Sequence, residues 1–195
     1  MAMQHSPLLM SRILDRGARV CPDSEIVTAT ETGVRRQTAR EVRDRAHQLA
    51  HALADAGIGI GDRVGTFMWN SSRHLEAYHA IAGMGAVLHT LNIRLSDNDL
   101  EYIIGHAQDR LIIVDADLLP LLEKLIGRMP SVERVVVATE EGFEGWQTDL
   151  PNPVDYEAFI SGKPSDYAWP EIDENSPLAL CYTSGTTGNP KGVEY

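Results

Sequence analysis

The chain has 195 residues, and 43% of them are hydrophobic, which is enough for a sizeable buried core and argues against global disorder. Its 17 basic and 28 acidic residues give a net charge of −11, which argues against a nucleic-acid or anionic-membrane surface. No apolar run approaches the roughly 20 residues of a membrane-spanning helix. Only Cys21 and Cys181 are present. This spacing provides neither a disulfide framework nor a metal site, so we expect a cytoplasmic protein.

The first predicted elements are a β-hairpin and a long amphipathic helix. Two short strand-like runs, 25–30 and 34–38, flank a turn and predict the hairpin. Thr38 and Glu41 then have the spacing of a capping box, in which each residue caps the backbone of the other. Apolar residues continue on one helical stripe behind them, so a helix is predicted over 38–56.

From residue 63 onward, apolar runs of strand length alternate with helical patterns. This rhythm indicates right-handed βαβ units, and the predicted fold class is α/β, with a mainly parallel sheet and covering helices. The strands are predicted over 63–69, 86–91, 111–115, 132–138 and 177–182, the helices over 72–83, 96–107, 118–128 and 156–161, and irregular segments over 140–153 and 163–175.

The last predicted strand runs into the segment YTSGTTGNPKGV, which contains three glycines, four small hydroxyl residues and one lysine. Glycines let a backbone approach a ligand closely, while hydroxyls and an ammonium group suit phosphate oxygens. A loop at the carboxyl end of a strand is also the usual ligand position in an α/β sheet. The Walker spacing G-x-x-x-x-G-K-[ST] and the dinucleotide fingerprint are both absent. The segment therefore indicates a polyphosphate cradle, with a flexible surface loop as the alternative.

This segment resembles the phosphate-binding signature of the adenylate-forming superfamily, which includes the acyl-CoA synthetases (AMP-dependent ligases). Upstream, the words WNSSRHLEAYHA, GAVLHTLNIRLS and YIIGHAQD are similar to medium- and long-chain fatty-acid–CoA ligases and to methylmercaptopropionate–CoA ligases. The resemblance implies that residues 1–195 are the amino-terminal part of an AMP-binding (adenylation) domain, within the large N-terminal domain of a longer enzyme. The C-terminal domain and the catalytic residues are then expected outside this chain.

The resemblance also implies a two-step reaction. A carboxylic acid, expected to be a fatty acid, attacks ATP to give an acyl-adenylate, and coenzyme A then displaces AMP. Mg²⁺ is implied as the metal, with Thr183 as its ligand, and the fragment alone is expected to be inactive. The phosphate-binding positions implied by the match are Thr183, Ser184, Gly185, Thr186, Thr187, Gly188 and Lys191.

Two alternatives stay open at this point: an adenylating enzyme with an acyl acceptor other than coenzyme A, and a stand-alone nucleotide-binding or assembly module without turnover. Because only the loop follows the strand at 177–182, we also expect an exposed apolar patch and an unpaired strand edge there. The expected consequence is self-association as a homo-oligomer, another protein segment over the edge, or marginal stability.

The histidines and Cys181 are interpreted as structural. His47 and His51 lie one helical turn apart without a third metal ligand and off the apolar stripe, so we expect both on a solvated face. Packing or substrate-side roles are expected for His79 and His89. Cys181 is interpreted as a small buried hydrophobic residue.

Overall fold

The computed structural model describes residues 6–30, 33–140, 142, 147–183 and 188–195. Helices and strands alternate along most of this part of the chain. In chain order, the elements are α1 (Met10–Val20), β1 (Glu25–Thr30), β2 (Gly33–Thr38), α2 (Ala39–Asp55), β3 (Arg63–Phe67), α3 (Ser72–Gly83), β4 (Val87–Thr90), α4 (Asp97–Ala107), β5 (Leu111–Asp115), a 3₁₀ turn (Ala116–Leu118), α5 (Leu119–Ile126), β6 (Arg134–Ala138), β7 (Val154–Asp155), α6 (Tyr156–Ile160), β8 (Ala179–Thr183) and β9 (Lys191–Glu194).

The main sheet has the order β7-β6-β5-β3-β4-β8-β9. Its first six strands in this order pair in parallel, and only β9 pairs antiparallel, with β8. The predicted α/β class with a mainly parallel sheet is thus confirmed. The hairpin β1–β2 forms a separate two-stranded sheet, and the turn residues between Thr30 and Gly33 lie outside the described part.

Alternating side chains of the strands build one apolar core on each face of the main sheet, as expected when helices cover both faces of a parallel sheet. On β5, Leu111 and Ile113 face the core formed with α2, α3 and α6. Ile112 and Val114 face the opposite core, which contains α4 and α5. None of the described helices combines the length and apolar character that crossing a membrane requires.

The predicted start of α2 is confirmed in atomic detail. The Thr38 hydroxyl accepts from the Glu41 backbone N–H at 3.2 Å, and the Glu41 carboxylate accepts from the Thr38 N–H at 2.7 Å. By contrast, α1 was not predicted, although Leu14 and Ala18 lie one turn apart on its buried side. The short strand β7 was also not predicted, because two residues are too few to show an alternating pattern.

The solvated position predicted for His47 is wrong, because its side chain is 2% exposed. The helix α1 and the irregular segment 163–175 cover this face of α2. The Tyr167 N–H donates to His47 Nδ1 at 2.8 Å, and the other ring nitrogen lies 2.9 Å from a carboxylate oxygen of Asp15. His51 packs its ring edge against Tyr167, and its Nε2 is buried as well. Burial lowers the pKa of His47, which keeps the ring neutral at neutral pH.

The edge of the sheet also differs from the prediction. The strand β8 is not unpaired, because β9 follows the loop and returns beside it, with Thr183 opposite Lys191. All four residues of β9 are exposed. Within the described residues, β9 is therefore the outermost strand on this side, and the predicted open edge is displaced by one strand.

Candidate functional site

The carboxyl ends of the parallel strands form one edge of the sheet, and the direction of the chain connections changes there. The helix after β3 packs on one face, whereas the helices after β4 and β5 pack on the other. Ligands in open α/β sheets bind outside the carboxyl ends of the strands at such a switch point. The loop that follows β8 leaves from this same edge, one strand beyond β4.

The loop begins and ends on two paired strands. Thr183 ends β8, Lys191 begins β9, and the Thr183 hydroxyl lies 3.4 Å from the Lys191 carbonyl oxygen. Both side chains are exposed, and Lys191 makes no ion pair with any described residue. A threonine and a lysine without an ion-pair partner among the described residues are therefore paired at the root of the loop.

The predicted phosphate-binding residues are only partly within the described structure. Thr183 and Lys191 are brought together at the root, and Gly188 is exposed with a φ of +102°, a conformation that favours glycine. Ser184, Gly185, Thr186 and Thr187 lie outside the described residues, so their assignment stays a prediction. In the described ranges, no three His, Cys, Asp or Glu side chains form a cluster that could hold a metal ion.

A half-buried tyrosine supports the root of the loop. Tyr182 pairs with Gly192 across β8 and β9, and a Cβ added at Gly192 would lie 3.3 Å from Cζ of the tyrosine ring. The Tyr182 hydroxyl lies 2.6 Å from Nδ1 of His106 on α4. Burial, with the nearby carboxylate of Asp109, raises the pKa of Tyr182 to about 12, so the hydroxyl keeps its proton at neutral pH.

Beneath this tyrosine lies a fully buried pair, His89 and Asp109. Nδ1 of the histidine is 2.7 Å from Oδ2 of the aspartate, and both side chains are inaccessible to solvent. Burial raises the pKa of the Asp109 carboxyl, because an ionised carboxylate loses its hydration there. The packing role expected for His89 agrees with this position, but its acidic partner was missed, since Asp109 follows α4 in an ordinary turn.

Cys181 faces β4 rather than lying in a purely apolar environment. Its sulfur is 3.6 Å from the Thr90 hydroxyl, and the residue is half-buried. The Thr90 side chain also hydrogen-bonds Tyr78 of α3, whose pKa is raised mainly by burial. The predicted small buried residue is thus only partly buried, because it lies near the open end of its strand.

Sequence reasoning also missed a second group, beside β3. The Asp115 carboxylate accepts from the Trp69 backbone N–H at 2.7 Å, and burial raises the pKa of Asp115 to about 6. His74 lies behind the tryptophan, with Nδ1 3.0 Å from the Trp69 carbonyl oxygen and Nε2 3.0 Å from the Thr66 hydroxyl. Since a carbonyl oxygen only accepts, Nδ1 carries the proton and Nε2 accepts. A carboxylate as the last residue of a predicted strand was the available signal for Asp115.

These features define a domain of the parallel α/β class, with the loop between β8 and β9 at the carboxyl edge of its sheet. Comparison with known proteins makes this assignment specific. The AMP-binding enzyme family matches residues 14–195, and the chain belongs to that family.

Individual relatives agree with the family. The chain is 40% identical over 194 residues to a 3-methylmercaptopropionyl-CoA ligase of Ruegeria pomeroyi, covering 99% of this chain and 36% of the relative. It is 38% identical over 194 residues to a medium-chain-fatty-acid–CoA ligase of Ectopseudomonas oleovorans, covering 99% and 35%. A crystal structure of the anthranilate CoA ligase AuaEII in complex with anthranoyl-AMP is similar at a TM-score of 0.86 and 27% identity, covering 98% of this chain and 35% of that one. The chain thus spans about a third of the length of these proteins.

Proposed function

We propose that this chain is the phosphate-holding part of an AMP-forming ligase that activates a carboxylic acid and transfers it to coenzyme A. The observation that carries the proposal is the root of the loop, where Thr183 and Lys191 stand paired and exposed at the carboxyl edge of a parallel sheet. The family membership and the names of the relatives support it. Because the chain spans about a third of their length, the activity is proposed for a full-length ligase that contains it.

The chemistry of these residues suits the first half-reaction. A carboxylate attacks the α-phosphorus of ATP, the bond to the bridging oxygen breaks, and pyrophosphate leaves with the electron pair. Lys191 can supply an ammonium group to the departing pyrophosphate, and glycine N–H groups of the loop can donate to the same oxygens. The acyl-adenylate that remains has AMP as a good leaving group, so a thiol can displace it.

Mg²⁺ fits this arrangement as an ion held mainly by the nucleotide. Such an ion usually keeps several waters and takes one or two protein oxygens besides the substrate phosphates. The Thr183 hydroxyl is exposed, and its only described contact is the long one to the Lys191 carbonyl oxygen, which leaves its oxygen lone pairs accessible. When bound, Mg²⁺ would neutralise charge on the phosphates.

We further propose a fatty acid or a similar small acid as the substrate. The relatives act, by their names, on a medium-chain fatty acid and on 3-methylmercaptopropionate, which share an aliphatic carboxylic acid. A panel of straight-chain acids with 3-methylmercaptopropionate and anthranilate, assayed for acid-dependent ATP–pyrophosphate exchange in the full-length ligase, tests this. Exchange only with the aromatic acid would contradict the aliphatic assignment.

The decisive variant is Lys191→Ala in the full-length ligase. We expect it to lower kcat/KM for ATP by roughly 10–100-fold in the exchange assay, because a charge-assisted contact to the transferred phosphates is lost. Lys163→Ala is the matched control, because Lys163 pairs with Asp55 at 2.6 Å on another part of the surface. Equal rates for wild type and Lys191→Ala would contradict the phosphate-holding role.

The acceptor is tested separately in the same protein. Formation of an acyl-CoA thioester supports coenzyme A, whereas transfer only to a carrier protein supports the alternative acceptor. Nucleotide binding without exchange for any acid in the panel would favour a module without turnover. Assayed by itself, the 195-residue chain is expected to give no exchange, because it spans only about a third of the length of its relatives.

A further inference from the structure

We propose that His89 and Asp109 are positioning residues of the phosphate loop, which together with His106 clamp Tyr182 and so fix the strand ends at Thr183 and Lys191. The inference rests on the proposed function, because it assigns how the root of that loop is held. The sequence analysis did not connect His89, Asp109 or His106 to the loop.

His89 and Asp109 form a rigid, buried pair. The hydrogen bond between His89 Nδ1 and Asp109 Oδ2 is 2.7 Å long, and neither side chain is accessible to solvent. The remaining polar atoms, Nε2 of the histidine and Oδ1 of the aspartate, have no hydrogen-bond partner in the described part of the chain. A Cβ added at Gly65 would lie 3.3 Å from Asp109 Oδ2 and 3.2 Å from Ile112, so the absence of a side chain there makes room for the carboxylate.

Stability alone does not account for such a pair. Replacing a buried polar pair by well-packed apolar side chains is often neutral or stabilising, because the polar groups must be desolvated. What an apolar replacement cannot supply is a directional hydrogen bond that fixes the plane of the imidazole ring. Such a bond matters where the position of another group depends on that ring.

That group is Tyr182. The rings of His89 and Tyr182 are 5.2 Å apart at 45° between their planes, and His89 is paired in register with Leu180, two residues earlier on the same face of β8. From the other side, His106 Nδ1 lies 2.6 Å from the Tyr182 hydroxyl, and the His106 ring stacks on Tyr102 at 5.4 Å.

His106 and the acidic partner of His89 come from one short segment. Tyr102 and His106 lie on α4, and Asp109 follows in the turn that ends this helix. This turn has a fixed shape, because Gln108 adopts a left-handed conformation with a φ of 59° and its backbone N–H returns to the last helical turn. The position of α4 relative to the sheet therefore determines the position of the tyrosine.

The tyrosine in turn contacts both ends of the loop. It directly precedes Thr183, and its ring lies over Gly192, the neighbour of Lys191 on β9, at 3.3 Å from an added Cβ. An aromatic ring across a strand glycine is a recognised way to pin strand register. A shift of the ring would move the hydroxyl and the ammonium group that the proposed function assigns to the phosphates.

The test compares two isosteric substitutions in the full-length ligase, Asp109→Asn and Asp15→Asn. Each replaces the carboxyl group of an aspartate that pairs with a buried histidine by a neutral amide, and the Asp15–His47 distance is 2.9 Å. Only Asp109 lies beside Tyr182, whereas Asp15 lies on the opposite side of the sheet with α1 and α2. We expect both variants to melt at a lower temperature, and only Asp109→Asn to raise KM for ATP, by roughly fivefold. KM for the carboxylic acid should stay within twofold of wild type. A general destabilisation of the fold would instead change KM for both substrates.

Tyr182→Phe keeps the test decisive if Asp109→Asn does not fold, since it removes a single hydroxyl from a half-buried ring. Like Asp109→Asn, it should raise KM for ATP, with little change in melting temperature.

Hydrogen exchange of peptides covering β8 and β9, measured without nucleotide, gives a readout that does not depend on activity. Exchange should be faster in Asp109→Asn and Tyr182→Phe than in Asp15→Asn.

The outcomes separate this inference from the proposed function. The wild type could perform no acid-dependent ATP–pyrophosphate exchange while hydrogen exchange of β8 and β9 is still faster in Asp109→Asn. That result overturns the proposed function and supports the clamp. An active wild type in which Asp109→Asn and Tyr182→Phe change neither KM for ATP nor the hydrogen exchange of β8 and β9 overturns the clamp. A rise in KM for ATP in Asp15→Asn equal to that in Asp109→Asn also overturns it.

Discussion

Asp115 offers a measurable test of the electrostatics at the carboxyl edge. Its carboxyl group is largely buried next to Trp69, and the carboxylates of Asp117 and Glu140 add repulsion, so its pKa is raised to about 6 from an ordinary 3.8. At 1.36 kcal/mol for each pKa unit, this difference corresponds to about 3 kcal/mol of unfolding free energy. The neutral variant Asp115→Asn avoids that cost and still presents an oxygen to the Trp69 N–H.

The sign of the pH dependence follows from the direction of the shift. A carboxyl whose pKa is raised in the folded state favours folding while it is protonated. Its favourable contribution is therefore complete below the unfolded pKa of 3.8 and is lost as the pH rises through about 6. At pH 7 the wild type is ionised in both states, so Asp115→Asn should be more stable by up to about 3 kcal/mol. The advantage should shrink to about 1 kcal/mol at pH 4.5.

Urea unfolding followed by far-ultraviolet circular dichroism, at several pH values between 4.5 and 7.5, measures this difference. The comparison with wild type at each pH cancels the titration of all other groups. Asp117→Asn is the control, because Asp117 is exposed and, among the described residues, accepts a hydrogen bond only from the Trp69 ring N–H, at 2.8 Å. It should change stability by less than about 1 kcal/mol. A variant Asp115→Asn that is less stable than wild type at pH 7, or an advantage that does not shrink with acid, would refute the reasoning.

Three further predictions concern packing, the charge network and assembly. Gly83→Ala should destabilise the chain by about 1–2 kcal/mol in thermal melts, because the added Cβ would lie 2.8 Å from the rigid ring of Trp169. Gly105→Ala is the control and should be neutral or stabilising, because nothing lies within 4 Å of its added Cβ. An equal loss of stability in the two variants would contradict the contact between Gly83 and Trp169. Glu76→Gln should cost about 3 kcal/mol in urea unfolding, because the Glu76 carboxylate is fully buried and pairs with the partly exposed Arg45 at 2.8 Å. An unchanged urea midpoint would contradict this. The exposed outer strand β9 should promote self-association of the 195-residue chain, and a concentration-independent monomer in sedimentation would rule that out.

The sequence by itself determined the features that depend on neighbours along the chain. The capping box at Thr38 and Glu41 acts across three residues, so its pattern is readable without the fold, and it is present as expected. The alternation of apolar runs with helical stripes likewise predicted the α/β class, because each element must bury one face against the others. The loop was recognised from its composition and order, which place Thr183 and Lys191 at its two ends.

Only the tertiary structure decided the contacts between distant segments. His47 is buried because Asp15, 32 residues earlier, and Tyr167, 120 residues later, converge on it, and no local period encodes that meeting. The pair of His89 and Asp109 is likewise formed by packing α4 over the sheet. The return of β9 beside β8 was missed because four exposed residues after a proline carry no alternation, and their pairing is set by backbone hydrogen bonds rather than by side-chain pattern.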